Sequence, residues 1–228
     1  MKYTLVNPKL EAQITEIRRK IRLSMNGIVS GQMTEKGIHY KKNYGVSIPR
    51  IKEIASTYPP SHDLAQRLWN LQIRETMIMA TLLEPAGSFQ SQQAQEWVES
   101  FNQIEIIEQA CMNLFCKLPY SNTLCLTWVH SDNDWIRIAG FILAARSVEI
   151  LSQTETDQIT RQALKISGTD NFHLYKAVAL CLSRFCRKNK DIATYILKEI
   201  TAFSQTTSIG QHYISTEVKQ EILFLTDL

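Results

Sequence analysis

Glycine and proline are scarce in this chain, 8 and 6 among 228 residues. So small a share of turn-forming residues excludes a Pro/Gly-rich disordered chain and argues against a loop-rich β protein. Sustained alternation of apolar and polar residues, the mark of a half-buried strand, is also missing. No apolar run reaches the roughly 18 residues that a transmembrane helix needs. The first twenty residues carry charge throughout, so a signal peptide is not expected either. These absences point to a cytoplasmic protein with no membrane partner. The 5 cysteines include no C-x-x-C pair. Cys111/Cys116 and Cys181/Cys186 are each five apart, Cys125 stands alone, and no histidine lies at a useful metal spacing. Buried free thiols follow, with no metal and no cofactor expected.

What is present is a chain 44% hydrophobic, long enough to bury a sizeable core and patterned at helical spacing. The stretch TWVHSDNDWIRIAGFILAAR, residues 127–146, shows the plan. An apolar run through Leu124, Leu126 and Trp128 ends at the polar turn His130 to Asn133, which supplies N-cap chemistry. From Trp135 a second apolar stripe runs through Ile138, Phe141, Ile142 and Ala145. Trp128 and Trp135 both lie on such stripes and are expected in the core.

The same plan recurs on both sides. Asn7-Pro8 opens a first helix with the stripe Leu10, Ile14, Ile17, Ile21, Met25 and Ile28, followed by a basic loop or short helical connection over 29–47. Further helices are expected to start at Ser47, Ser61, Ser91, Asn102, Ser152 and Asn171. That at Asn102 turns Ile104 inward, that at Asn171 turns Phe172 inward, and Tyr195 lies on the stripe of a later one. Ile73-Arg74, Ile136-Arg137 and Tyr175-Lys176 each place a base in the first turn of a buried helix, 63 and 39 residues apart. Repeats of about 30–40 residues are in the range of HEAT-type pairs. The expected architecture is all-α, a HEAT-like helical-repeat solenoid of about six helical pairs forming one domain over 1–228.

Net charge is only +3, but it is unevenly spread. Residues 17–52 hold nine Lys/Arg, Lys41 and Lys42 among them, against the single acid Glu35. Residues 171–190 hold Lys176, Arg184, Arg187, Lys188 and Lys190 with no acid, while 75–116 hold six glutamates and no base. Two basic ends around an acidic middle suit a clamp on a polyanion. Bases at a helix start are disfavoured by the macrodipole, which argues that Arg137 and Lys176 have an anionic partner or a carboxylate neighbour. Glu75, beside Arg74, is one such neighbour.

Four segments in order, GVSIPRIKEIA at 45–55, LWNLQIRETMIMATLL at 68–83, TWVHSDNDWIRIAGF at 127–141 and NFHLYKAVALCLSRF at 171–185, resemble the AlkD-like DNA alkylation repair family over roughly residues 8–225. The resemblance implies a HEAT-like solenoid whose basic surface holds duplex DNA and removes N3- or N7-alkylated purines, acting as a monomer. An alkylated purine already carries positive charge and leaves without a general acid, so a carboxylate and aromatic faces suffice at the sugar. The family's catalytic carboxylate falls on Glu108 and its tryptophans on Ile104 and Leu180. Its arginine position reads Ile138, with Arg137 one residue earlier. The aromatic and arginine positions are thus substituted. The resemblance gives a DNA-binding protein with glycosylase chemistry at Glu108, and the basic residues Arg137, Lys176, Arg184, Arg187, Lys188, Lys41 and Lys42 are the expected DNA contacts. Two alternatives remain open at this point: a silent relative binding damaged or branched DNA, and a helical scaffold for a protein partner.

Overall fold

The computed structural model describes residues 7–226, and these hold thirteen α-helices and two 3-10 turns, with no strand among them beyond one bridge between Lys42 and Ile73. Contacts gather the chain into two compact units, with the boundary between Gln90 and Ser91.

The first unit contains α1 (Pro8–Leu23), α2 (Gly27–Glu35), α3 (Ile48–Ala55), α4 (His62–Asn70) and α5 (Arg74–Leu83). Asn7 caps α1 by accepting from the Lys9 and Leu10 amides, and Leu10, Ile14, Ile17 and Ile21 are buried. The stripe stops there. Ser24 ends the helix with its N–H on the Ile21 carbonyl, and Asn26 starts α2 by capping Val29. Met25 and Ile28 are therefore turned out to solvent, contrary to the sequence expectation. The helix α5 packs against α3 and α4 and is buried on almost every face, as its continuous apolar sequence requires.

Its polar residues are buried with it. Glu75 accepts from the Tyr44 and Val46 amides (3.1 and 3.2 Å) and from Arg74 Nη1 (3.1 Å), while Arg74 also donates to the Val46 carbonyl at 2.8 Å. One buried ion pair thus anchors the basic connection to α5, with its charges hydrogen-bonded on both sides. Gly45 completes the fit: its φ is +69°, and a Cβ there would lie 2.2 Å from the Asn26 carbonyl oxygen.

The second unit contains α6 (Ser91–Glu99), α7 (Ile104–Asn113), α8 (Ser121–Trp128), α9 (Asp134–Arg146), α10 (Gln153–Lys165), α11 (Phe172–Cys186), α12 (Lys190–Thr201) and α13 (Ile209–Thr226). The helices α7, α9, α11 and α13 lean on one another in succession, and α8, α10 and α12 form a second row behind them. This two-row stacking is what helical pairs of alternating role produce. The predicted capping box is present: Ser152 accepts from the Glu155 amide, and the Glu155 carboxylate accepts from the Ser152 amide. The start of α7 differs from expectation. Gln103, not Asn102, occupies the cap position, its side chain not capping the helix amides, and Ile104 is only partly covered.

Candidate nucleic-acid interface

The row of helices in the second unit carries a groove of about 490 Å³. Ile104 and Glu108 reach it from α7 and Ile142 from α9. Lys176, Leu180, Arg184 and Arg187 come from α11, and Tyr213, Glu217 and Glu221 from α13. The α11 residues follow steps of four, four and three, which places them on one face of the helix over about 16 Å. Lys176 and the two arginines are exposed along that face, with the apolar Leu180 between them, 39% exposed.

Glu108 is exposed, yet enough protein surrounds its carboxyl to raise its pKa above 4.5. Desolvation is the largest cause and Glu105 adds to it, while Arg146 and Lys176 pull the other way. Arg146, at the end of α9, also shares an adjoining groove with Leu180, Arg184 and Arg187. The sequence reading missed this arginine. Its signal was available: it falls four residues beyond Ile142 on the same face of α9.

Aromatic rings crowd one end of the groove. Lys176 Nζ lies 4.8 Å from the centre of the Phe172 ring and 5.9 Å from that of Tyr213. Tyr175 and Tyr213 are 5.1 Å apart, and Trp135 meets His173 at 5.6 Å with their planes tilted by 32°. Burial, and then Lys176, lower the His173 pKa, so its ring is neutral at physiological pH. Phe172 and Trp135 were expected in the core. Phe172 is exposed at the first turn of α11, and Trp135 is partly exposed at the first turn of α9, where neighbouring helices do not yet cover them.

The remaining sequence-predicted contacts go elsewhere. Arg137 turns back on its own loop: Nε donates to the Ser131 carbonyl, Nη1 to Asp134 Oδ1 (3.1 Å) and Nη2 to the Asp132 carbonyl (3.4 Å). Asp134 is the carboxylate neighbour that its place at the helix start called for. Ile138 has no exposure at all, so its position faces the core. Lys188 donates to the Leu151 carbonyl and to Thr156 Oγ1 (3.1 Å), tying the end of α11 to the start of α10. Arg187 stays in the groove but pairs there with Glu221 of α13. Lys41 and Lys42 are exposed in the first unit, Lys42 with its Nζ 4.9 Å from the Tyr44 ring centre. The cysteines are unpaired thiols, four of them buried. Burial pushes Cys125 and Cys186 up to about 12 and Cys111 and Cys181 well up, so these four are poor nucleophiles. Among the described residues no group of three His, Cys, Asp or Glu could hold a metal ion, and no helix is long and apolar enough to cross a membrane.

The family model for the DNA alkylation repair enzyme matches residues 17–209. The chain belongs to this family. A solved structure described as "a new family of proteins related to the HEAT-like repeat DNA glycosylases with affinity for branched DNA structures" superposes with a TM-score of 0.77. The match covers 92% of this chain and 95% of that one, at 10% sequence identity. So distant a sequence with so complete a superposition shows a shared fold, and the all-α HEAT-like architecture is established by it. No curated protein is close enough in sequence to match. Three positions matched to the family's site, Ile104 and Glu108 on α7 and Leu180 on α11, line the one groove.

Proposed function

We infer that the protein binds DNA through the groove of its second unit, recognising damaged or distorted duplex, with slow release of N3- or N7-alkylated purines at Glu108. The observation that carries this reading is the convergence of Ile104, Glu108 and Leu180 with Lys176, Arg184 and Arg187. Phosphates on the α11 face would meet Lys176 and Arg184, with Arg187 held against Glu221 beside them, and a sugar near α7 would meet a carboxylate.

That arrangement suits a leaving base that is already cationic. As the N-glycosidic bond lengthens, positive charge develops on the sugar, and an ionised carboxylate stabilises that state more than the ground state. Water then adds to the sugar carbon and the purine departs neutral. The substituted positions set the rate: Ile104 and Leu180 offer apolar contact without an aromatic face, so the lesion is held less firmly. Loss of Glu108 should cost about 10²–10³ in rate, as for other preorganised electrostatic groups. The test is single-turnover release of N7-methylguanine by wild type, Glu108→Gln and Glu105→Gln. Equal rates for Glu108→Gln and wild type would remove Glu108 from the chemistry.

A second reading, binding of branched DNA without excision, is favoured by the same apolar pair and by the exposure of Leu180. It expects tighter binding to a four-way junction than to linear duplex, with no base released. The charged lining argues against a groove for an apolar peptide, which exposed Leu, Met or Tyr without charge would have suited.

A further inference from the structure

The first unit carries a cluster that the groove does not use. Leu23, Met25 and Ile28 are 74%, 67% and 76% exposed, and Val29 beside them is exposed too. They follow one another around the corner from α1 into α2, and α2 buries none of its residues. We propose that this corner is a wedge that enters an opened base step of DNA, while the basic residues around its foot hold the flanking phosphates. The inference rests on the DNA-binding reading above.

The corner is held in its projecting form. The Asn26 amide donates to the Tyr44 carbonyl at 2.8 Å, and Ser30 Oγ donates to the Asn43 carbonyl at 3.0 Å. Gly45 packs against the Asn26 carbonyl, and the segment from Tyr44 to Val46 is fastened to buried Glu75. These bonds fix the backbone beneath the corner, so its apolar side chains are kept in solvent.

Most of the charges around it are basic. Burial pushes the Tyr44 phenol up, but Arg22 and Lys42 beside it outweigh that and bring its pKa below 10.0. Arg50 Nε donates to Ser24 Oγ at 3.1 Å, at the end of α1. Arg19 and Lys41 are exposed nearby in the chain. Of the acids in this region, Glu53 pairs with Arg50 at 2.7 Å, Glu75 is buried, and Glu35 stands at the far end of α2.

An apolar tip inside a basic collar fits a partner whose apolar faces lie between closely spaced negative charges. A base step between two phosphates has that chemistry, and apolar wedges in such steps unstack and kink duplexes. A membrane surface fits less well. Only the first turn of the nine-residue α2 is apolar, and the rest is Ser, Gly, Gln, Thr and Glu35 with one Met, too little for an interfacial helix.

The experiment compares wild type with Leu23→Ser/Ile28→Ser, whose altered side chains point to solvent; a melt confirms that the fold is retained. Each protein is titrated into intact duplex and into the same duplex with a two-base bulge, with 2-aminopurine beside the bulge. Wild type should raise the 2-aminopurine emission and prefer the bulged duplex by about tenfold, a size set by the apolar area covered. The double variant should bind intact duplex as wild type does, with the preference reduced to about one. Arg22→Gln/Lys42→Gln should weaken both duplexes alike. Wild-type binding without an emission change, or a double variant that keeps the preference, overturns the wedge and leaves the groove reading standing. Binding to neither duplex overturns both. Partition onto anionic phosphatidylserine vesicles that the double variant loses would assign the corner to a membrane instead.

Discussion

Glu108 is charged or neutral according to a pKa that its surroundings raise above 4.5, and its chemistry should follow. A carboxylate that must be ionised to stabilise the sugar works only above that raised value. Base release is therefore expected to climb with pH through a midpoint above 4.5, and Glu108→Gln should flatten the climb. Stability runs the opposite way. A carboxyl whose folded pKa is raised stabilises the protein below the unfolded value, and that contribution is lost as pH rises through the folded one. Glu108→Gln should then be no less stable than wild type at neutral pH. The tryptophans offer a second test. Trp128 is buried against Phe115 with its Nε1 on Gln95 Oε1 at 2.9 Å, and its loss should cost about 3–5 kcal/mol in a urea melt. Trp135, partly exposed against His173, should cost less, about 1–2 kcal/mol. At this scale sequence is a weak guide, for a reason visible in three residues. Arg74, Arg137 and Lys176 share one pattern at the start of one kind of helix. The first enters a buried ion pair, the second clamps its own turn, and the third lies over a ring in the groove. What separates them is the partner brought by distant chain, which local pattern does not encode.

Elements were far more legible. Caps at Asn7, Ser61, Asn133, Ser152, Asn171 and the buried stripes between them are set by neighbours three and four residues away, and all are present. Most errors fell at ends. Met25 and Ile28 continue a helical spacing across a break that Ser24 and Asn26 impose, Tyr195 lies on a stripe but emerges from it, and Phe172 precedes its helix's covered part. Packing between elements is tight where α9 meets the end of α8. A methyl on Gly140 would lie 2.7 Å from the Val129 nitrogen and 2.9 Å from the Trp128 carbonyl carbon. Alanine favours a helix by about 1 kcal/mol over glycine, but backbone atoms cannot swing aside as a side chain does. Gly140→Ala is expected to lower the Tm by several degrees, the overpacking cost of about 1–3 kcal/mol exceeding the gain in propensity. An unchanged or higher Tm would show that α8 and α9 can separate freely.

For the whole molecule, the fold class was legible because helical period, polar turns and missing strand patterns all agree along the full chain. The candidate groove was legible in part: Glu108, Lys176, Arg184 and Arg187 meet there, while Lys188 proves to be a tie between α11 and α10 and Arg146 was overlooked. If those cations meet phosphates, duplex affinity should fall with salt at a log–log slope near −0.9 per phosphate neutralised. Arg146→Glu/Arg184→Glu should make that slope shallower with the urea midpoint unchanged, and a slope as steep as wild type would take DNA away from this face. The division of the chain at Gln90 has a bearing on how the protein is made. The helices that close the first core, α1, α3, α4 and α5, are complete when the ribosome has passed residue 90. At about 5–20 residues per second, synthesis of the second unit takes on the order of ten seconds. Burial of Arg74 with Glu75 can therefore be finished on the nascent chain, before the groove of the second unit is complete.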